Sequence, residues 1–221
     1  MKTQTELKKI VAHAALEFIT ADMIVGIGTG STINYFIDEL AKVKHKIDAC
    51  VASSNETSAR LKAHGIPVID MNAAPHISLY VDGADEVNKR GEMKKGGGGA
   101  LTKEKIIATY AKEFLCLVDE SKLVDYWGDF PIAVEALPMA RSAVARELMK
   151  LGGNPCYRNG FITDNGNIIL DVFQLNMLEP KNIENSINCI VGVVENGIFA
   201  NRCADKLLVA TQQGVKLSTL A

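Results

Sequence analysis

Apolar residues recur at helical spacing from the start of the chain. Leu7, Ile10, Val11, Ala14, Ala15, Phe18 and Ile19 share one face, which predicts a helix over 5–19. Thr3 and Glu6 fit a capping box at its start, and Lys8 and Lys9 lie off the apolar stripe. Positions 23–27 form a short apolar run of the buried-strand kind. The run leads into Gly26-Ile27-Gly28-Thr29-Gly30-Ser31-Thr32, then into a helix with Ile33, Phe36, Ile37 and Leu40 inward. The alternation continues with a strand at 47–53 and a helix at 54–64 stopped by Gly65. Strands at 66–70 and 77–82 follow, then a helix at 101–112 and a strand at 114–118. Strands alternating with helices predict an α/β fold, a parallel sheet covered on both faces.

After Pro131 the rhythm changes. A strand at 132–137 precedes a helix at 141–151 that ends at Gly152-Gly153. Strands at 156–163 and 167–172 flank Asp164-Asn165-Gly166, a hairpin signal. A helix at 180–190 has Pro180 in its first turn, and a last strand spans 191–199 with a break at Asn196-Gly197. The order β-α-β-β-α-β is ferredoxin-like and predicts a smaller α+β unit. The expected division is therefore 1–130 with 201–221 as one domain and 131–200 as the other. The tail, 206–220, carries two short strands around Gln213-Gly214 that return to the first domain.

Composition narrows the function. The 221 residues are 48% hydrophobic and 23% charged, which is globular and excludes a disordered tail, a coiled coil or a collagen-like rod. Lys plus Arg is 24 against 26 Asp plus Glu, so no basic excess points to nucleic acid. No apolar run approaches the roughly 18 residues of a membrane span. His13 and Glu17 interrupt any signal-peptide core, so a soluble cytoplasmic protein is expected. The five cysteines are scattered without a Cys-x-x-Cys pair, which argues against zinc and against a disulfide framework.

Three stretches could carry chemistry. The turn at 26–32 joins a strand to a helix, so its glycines, N–H groups and hydroxyls suit a phosphate; a tight turn with no ligand is the alternative. Ser31 replaces the third glycine of the dinucleotide fingerprint, and Val51-Ala52-Ser53-Ser54-Asn55, where its acid would stand, has none until Glu56, which disfavours a nicotinamide cofactor. The second stretch, Tyr80-Val81-Asp82-Gly83-Ala84-Asp85-Glu86, sets Asp82 at a strand's C-terminal end, where it is a catalytic acid, a cation ligand or a capped turn. The third, Lys95-Gly96-Gly97-Gly98-Gly99 before Leu101-Thr102-Lys103-Glu104-Lys105, breaks several local rules at once. Its readings are a backbone that contacts a ligand, a loop that moves, or a solvated surface loop. Together the three suggest proton chemistry on a small phosphorylated molecule. Glu104 suits the base of an aldose–ketose isomerase and Lys95 the partner of its oxyanion. A related isomerase or deaminase, a coenzyme A transferase and a sugar-phosphate sensor remain alternatives. Three acids close together, Asp82, Asp85 and Glu104, would raise one of their pKa values.

These stretches, with Val118-Asp119-Glu120-Ser121-Lys122, Pro138-Met139-Ala140 and Thr163-Asp164-Asn165-Gly166-Asn167, resemble the A-type ribose-5-phosphate isomerases nearly end to end. The resemblance implies a Rossmann-like, mostly parallel sheet with helices on both faces, plus a ferredoxin-like α+β unit. It implies interconversion of ribose 5-phosphate and ribulose 5-phosphate in the pentose phosphate pathway, without metal or organic cofactor. It makes Glu104 the proton-transferring base, with Asp82, Asp85 and Lys95 beside it. Substrate contacts would come from Thr29, Gly30, Ser31, Thr32, Gly83, Ala84, Gly96, Gly97, Gly98 and Lys122, with Lys8 near the phosphate. A homodimer, or a tetramer, is implied as well. Gly99 departs from the alanine common in the family and is expected to add flexibility.

Overall fold

The computed structural model describes residues 1–220. Its helices and strands run in chain order as α1 Gln4–Ala14, β1 Met23–Ile27, α2 Ser31–Leu40, β2 Ile47–Ala52, α3 Asn55–Ala63 and β3 Leu79–Asp82. Next come β4 Glu86–Val87, β5 Met93–Lys94, α4 Leu101–Tyr110, β6 Phe114–Asp119, β7 Ile132–Ala136, α5 Arg141–Lys150 and β8 Asn154–Tyr157. The last are β9 Ile168–Phe173, α6 Pro180–Asn188, β10 Val193–Asn196, β11 Ile198–Phe199, β12 Lys206–Thr211 and β13 Gly214–Thr219. The chain divides into two compact units, one of Met1–Ala84, Lys103–Leu123 and Ala204–Ala221, the other of Asp85–Thr102 and Val124–Cys203.

The first unit holds a six-stranded sheet in the order β13-β12-β6-β3-β1-β2. All neighbours pair in parallel except the β12–β13 hairpin, which closes at Thr211 and Gly214. Runs such as β6, buried at every position, read as continuous apolar segments because both faces are covered. Leu7, Val11 and Ala15 of the N-terminal helix pack with Ile33, Phe36 and Ile37 of α2 over Ile27, Val81 and Leu117. Each such fully buried large side chain contributes about 1.5–3 kcal/mol. The capping box forms as the sequence predicts, with Thr3 Oγ1 accepting from Glu6 N–H and Glu6 reaching back to Thr3 N–H. The helix ends sooner than its apolar stripe, at Ala14, and continues as a tight 3-10 turn over Ala15–Phe18.

The second unit holds a four-stranded antiparallel sheet in the order β10-β7-β9-β8. With α5 between β7 and β8 and α6 between β9 and β10, this is the ferredoxin-like arrangement that the β-α-β-β-α-β order predicts. Its core gathers Val134, Val144, Leu148, Leu170 and Ile187.

Some expected elements change. The segment 66–70 makes only an isolated bridge, Cys50 to Val68, since Pro67 has no N–H to offer a ladder. The expected strand at 156–163 stops at Tyr157, where the backbone turns and Gly160 takes φ +72°. The expected strand at 191–199 splits at Gly197, and β11 joins β5 and β4 in a three-stranded sheet. Strands of two residues carry no legible period, so β4 and β5 escape a reading by alternation. Among the described residues, no helix is long and apolar enough to cross a membrane.

Candidate active site

The order of the parallel sheet reverses at β1. The chain steps from β1 to β2 on one side, then crosses to β3 on the other. Open α/β sheets bind ligands at such a reversal, outside the carboxyl ends of the strands. The two ends here are Ile27 and Asp82. Registry aligns Gly26 with Tyr80 and Ile27 with Val81, so Gly28 faces Asp82. A Cβ on Gly26 would lie 2.9 Å from Tyr80 Cδ2, and one on Gly28 would lie 1.9 Å from Asp82 Oδ1. Glycines two apart on β1 thus vacate the space that two side chains, also two apart, occupy from β3.

Asp82 is wholly buried. Its Oδ1 accepts from Gly83 N–H at 2.7 Å and from Thr29 N–H at 3.2 Å, and its Oδ2 accepts from the Tyr80 phenol at 2.5 Å. Hydroxyls cluster behind it. Thr29 Oγ1 lies 2.8 Å from Ser53 Oγ, 2.8 Å from Ser54 Oγ and 3.2 Å from Thr57 Oγ1. Thr57 donates to Gly28 O, and Ser54 caps α3 by accepting from Thr57 N–H. Burial, then the Asp82 and Glu104 carboxylates, push the Tyr80 phenol well above its ordinary pKa. Glu104 sits in the first turn of α4 and is only 4% exposed. At the N-terminus of α2, Lys8 Nζ donates to Ser31 Oγ at 2.9 Å, so an ammonium and a hydroxyl meet where backbone N–H groups emerge.

In the second unit, Asp85 Oδ2 accepts from Gly97 N–H at 2.9 Å. Lys95 is buried, its N–H donates to Gly197 O, and its ammonium stands 5.6 Å from the Phe199 ring centre. Its neighbour Lys94 has a structural role: it pairs with Glu86 at 3.1 Å and donates to Gly128 O and Phe130 O. The glycine loop is braced from the β8–β9 connection. Arg158 grips Asp171 with two nitrogens and donates through Nη1 to Gly96 O at 3.2 Å and Gly97 O at 3.1 Å. Gly99 is buried with φ +78°, and a Cβ there would fall 2.2 Å from Phe161. The flexibility expected at Gly99 is therefore absent from its surroundings; the residue is a packed joint. Buried Glu135 collects Thr102, Thr163, Asn165 and Asn167, which ties the Asp164-Asn165-Gly166 turn to the start of α4.

Among the expected site residues, Thr29, Asp82 and Gly83 share hydrogen bonds, as do Lys8 with Ser31 and Asp85 with Gly97. Gly30 and Thr32 belong to the α2 terminus, and Lys122 is half-buried at the end of the turn Glu120–Lys122. Thr57 and Arg158 carry no motif signal, and Tyr80 opens the second stretch without a role assigned to it. For Tyr80 the available clue was its i−2 spacing from Asp82 on one strand face.

A buried carboxylate at the reversal of a parallel sheet, next to a helix N-terminus open to anions, places the chain among α/β enzymes acting on small molecules. The sequence profile of ribose 5-phosphate isomerase A (phosphoriboisomerase A) matches residues 49–214. The ribose-5-phosphate isomerase A of Legionella pneumophila (strain Lens) is 64% identical over 211 residues, covering 96% of this chain and 98% of the relative. The crystal structure of ribose 5-phosphate isomerase A from Neisseria gonorrhoeae superposes with TM-score 0.98 at 47% identity, covering 100% of this chain and 99% of that one. A D-ribose-5-phosphate isomerase in complex with phospho-erythronic acid gives TM-score 0.93 at 40% identity, covering 99% and 100%. The chain belongs to the ribose 5-phosphate isomerase A family.

Proposed function

We propose a division of labour for the reaction that family membership assigns to this chain, the interconversion of ribose 5-phosphate and ribulose 5-phosphate. The phosphate docks at the N-terminus of α2, on Gly30, Ser31 and Thr32 with Lys8, and Lys122 adds a second cation. Thr29, Gly83 and Ala84 line the sugar. Asp82 opens the furanose ring: the O1 proton leaves as C1–O1 becomes a carbonyl, the C1–O4 bond breaks, and O4 takes up a proton. Glu104 then carries a proton between C2 and C1 through a cis-enediolate. Lys95, with N–H groups of Gly96, Gly97 and Gly98, holds the charge that develops on oxygen, and Asp85 orients the loop. The enzyme works without metal or organic cofactor, in the cytoplasm, as a homodimer or tetramer, within the non-oxidative pentose phosphate pathway.

The observation that carries this reading is the seat of Asp82, wholly buried at the sheet reversal and held by three donors. The relative solved with phospho-erythronic acid holds a phosphorylated sugar acid, the ligand chemistry assigned here. The test is turnover of ribose 5-phosphate in EDTA. Wild-type protein should form ketose at full rate, and Glu104→Gln should lose about 10²–10⁴-fold in kcat with KM kept. Wild-type turnover in the variant would remove Glu104 from its role, and loss of wild-type activity in EDTA would make the reaction metal-dependent.

A further inference from the structure

Tyr80 has no place in the steps above, yet the sheet is built around it. Its ring is fully buried, packs against Phe114 with centres 4.8 Å apart, and shares with Ile107 the space left by the missing side chain of Gly26. The ring therefore has one seat. From that seat its hydroxyl donates to Asp82 Oδ2. Ser53 meets Thr29, and Thr29 meets Ser54, the cap of α3. Thr29 in turn gives its N–H to Asp82 Oδ1, so the α3 cap reaches one oxygen of the carboxylate through Thr29 and the phenol reaches the other.

We propose that Tyr80 is a positioning residue for ring opening: its phenol holds Asp82 by Oδ2 while Thr29, tied to the N-terminus of α3 through Ser54, holds Oδ1. This rests on the ring-opening role of Asp82. The two backbone donors meet Oδ1. The phenol meets the other oxygen and fixes the plane of the carboxylate from the side opposite to them. Its raised pKa keeps the proton on Tyr80, so the bond to Asp82 persists across working pH. Ring opening needs this alignment, because the carboxylate must reach a hydroxyl and a ring oxygen in turn. Proton transfer between C2 and C1 belongs to Glu104 and does not need it.

The two steps can be measured apart. Ribulose 5-phosphate is open-chain, since its O5 is esterified and no five-membered ring can form. Exchange of its C1 hydrogen in D₂O therefore reports Glu104 chemistry without ring opening. Tyr80→Phe keeps the packing and removes the hydroxyl. It should slow turnover of ribose 5-phosphate by about 10–100-fold, the scale of a misplaced catalytic group, with KM unchanged and C1 exchange at the wild-type rate. Equal loss of both activities, or loss of neither, overturns the proposal. Should Tyr80→Phe fail to fold by circular dichroism, replacing Tyr80 with 4-aminophenylalanine keeps the ring with a weaker donor and should show the same selective loss, smaller in size; a uniform loss or none overturns the proposal equally. Asp82→Asn separates the two readings. If it loses exchange together with isomerisation, the ring-opening role of Asp82 fails. If it is selective while Tyr80→Phe is not, Tyr80 alone is wrongly assigned.

Discussion

Two glycine-rich turns serve this enzyme, and they use glycine for different reasons. In the turn after β1, Gly28 lies across from a carboxylate whose oxygen sits 1.9 Å from where a Cβ would be. Space is the constraint, set by a side chain on the next strand. In the loop at 96–99, Gly99 holds a left-handed backbone and abuts Phe161, whereas Gly98 is exposed with nothing within 4 Å of an added Cβ. Here one position needs both the left-handed backbone and the space, and another needs neither. One letter in the sequence stands for close approach, for backbone sign, or for neither.

Substitution by alanine sharpens that contrast. Gly28→Ala has the largest expected effect, because its methyl must drive Asp82 from its seat by more than 1 Å. Turnover should fall on the order of 100-fold; an active variant with wild-type kcat would show that Asp82 tolerates displacement. Gly99→Ala should act on stability instead, by about 1–3 kcal/mol for overpacking against Phe161. Thermal or urea unfolding reads it, and an unchanged midpoint would mean that Phe161 moves aside without cost. Gly98→Ala comes last, with stability within about 0.5 kcal/mol of wild type. A change in its KM then reports the sugar alone, since no protein atom crowds the methyl.

The same distinction explains what was legible in the sequence. The alternation of apolar runs and helical stripes was enough for the parallel sheet, and Asn165-Gly166 with Pro180 helped mark the ferredoxin-like unit. The two-residue strands β4, β5 and β11 were not legible, since pairing rather than pattern defines them. At the site, the carboxylates and the lysine stand in recognisable runs. Tyr80 opens one of those runs, but its role was hidden, because an aromatic on a buried strand looks like core until its hydroxyl finds Asp82. Arg158 is equally silent: its partners Gly96 and Gly97 lie sixty residues upstream, and only the fold brings them together.

That guanidinium has a consequence for the direction in which the loop presents its amides. In a trans peptide the carbonyl and the N–H point opposite ways, and among the described residues no peptide is cis. By drawing the carbonyls of Gly96 and Gly97 toward itself, Arg158 turns the following two N–H bonds outward; the first is received by Asp85, and that of Gly98 faces the same way. The loop acquires a polarity, donors on one edge and acceptors on the other, dictated by a residue in the connection between β8 and β9.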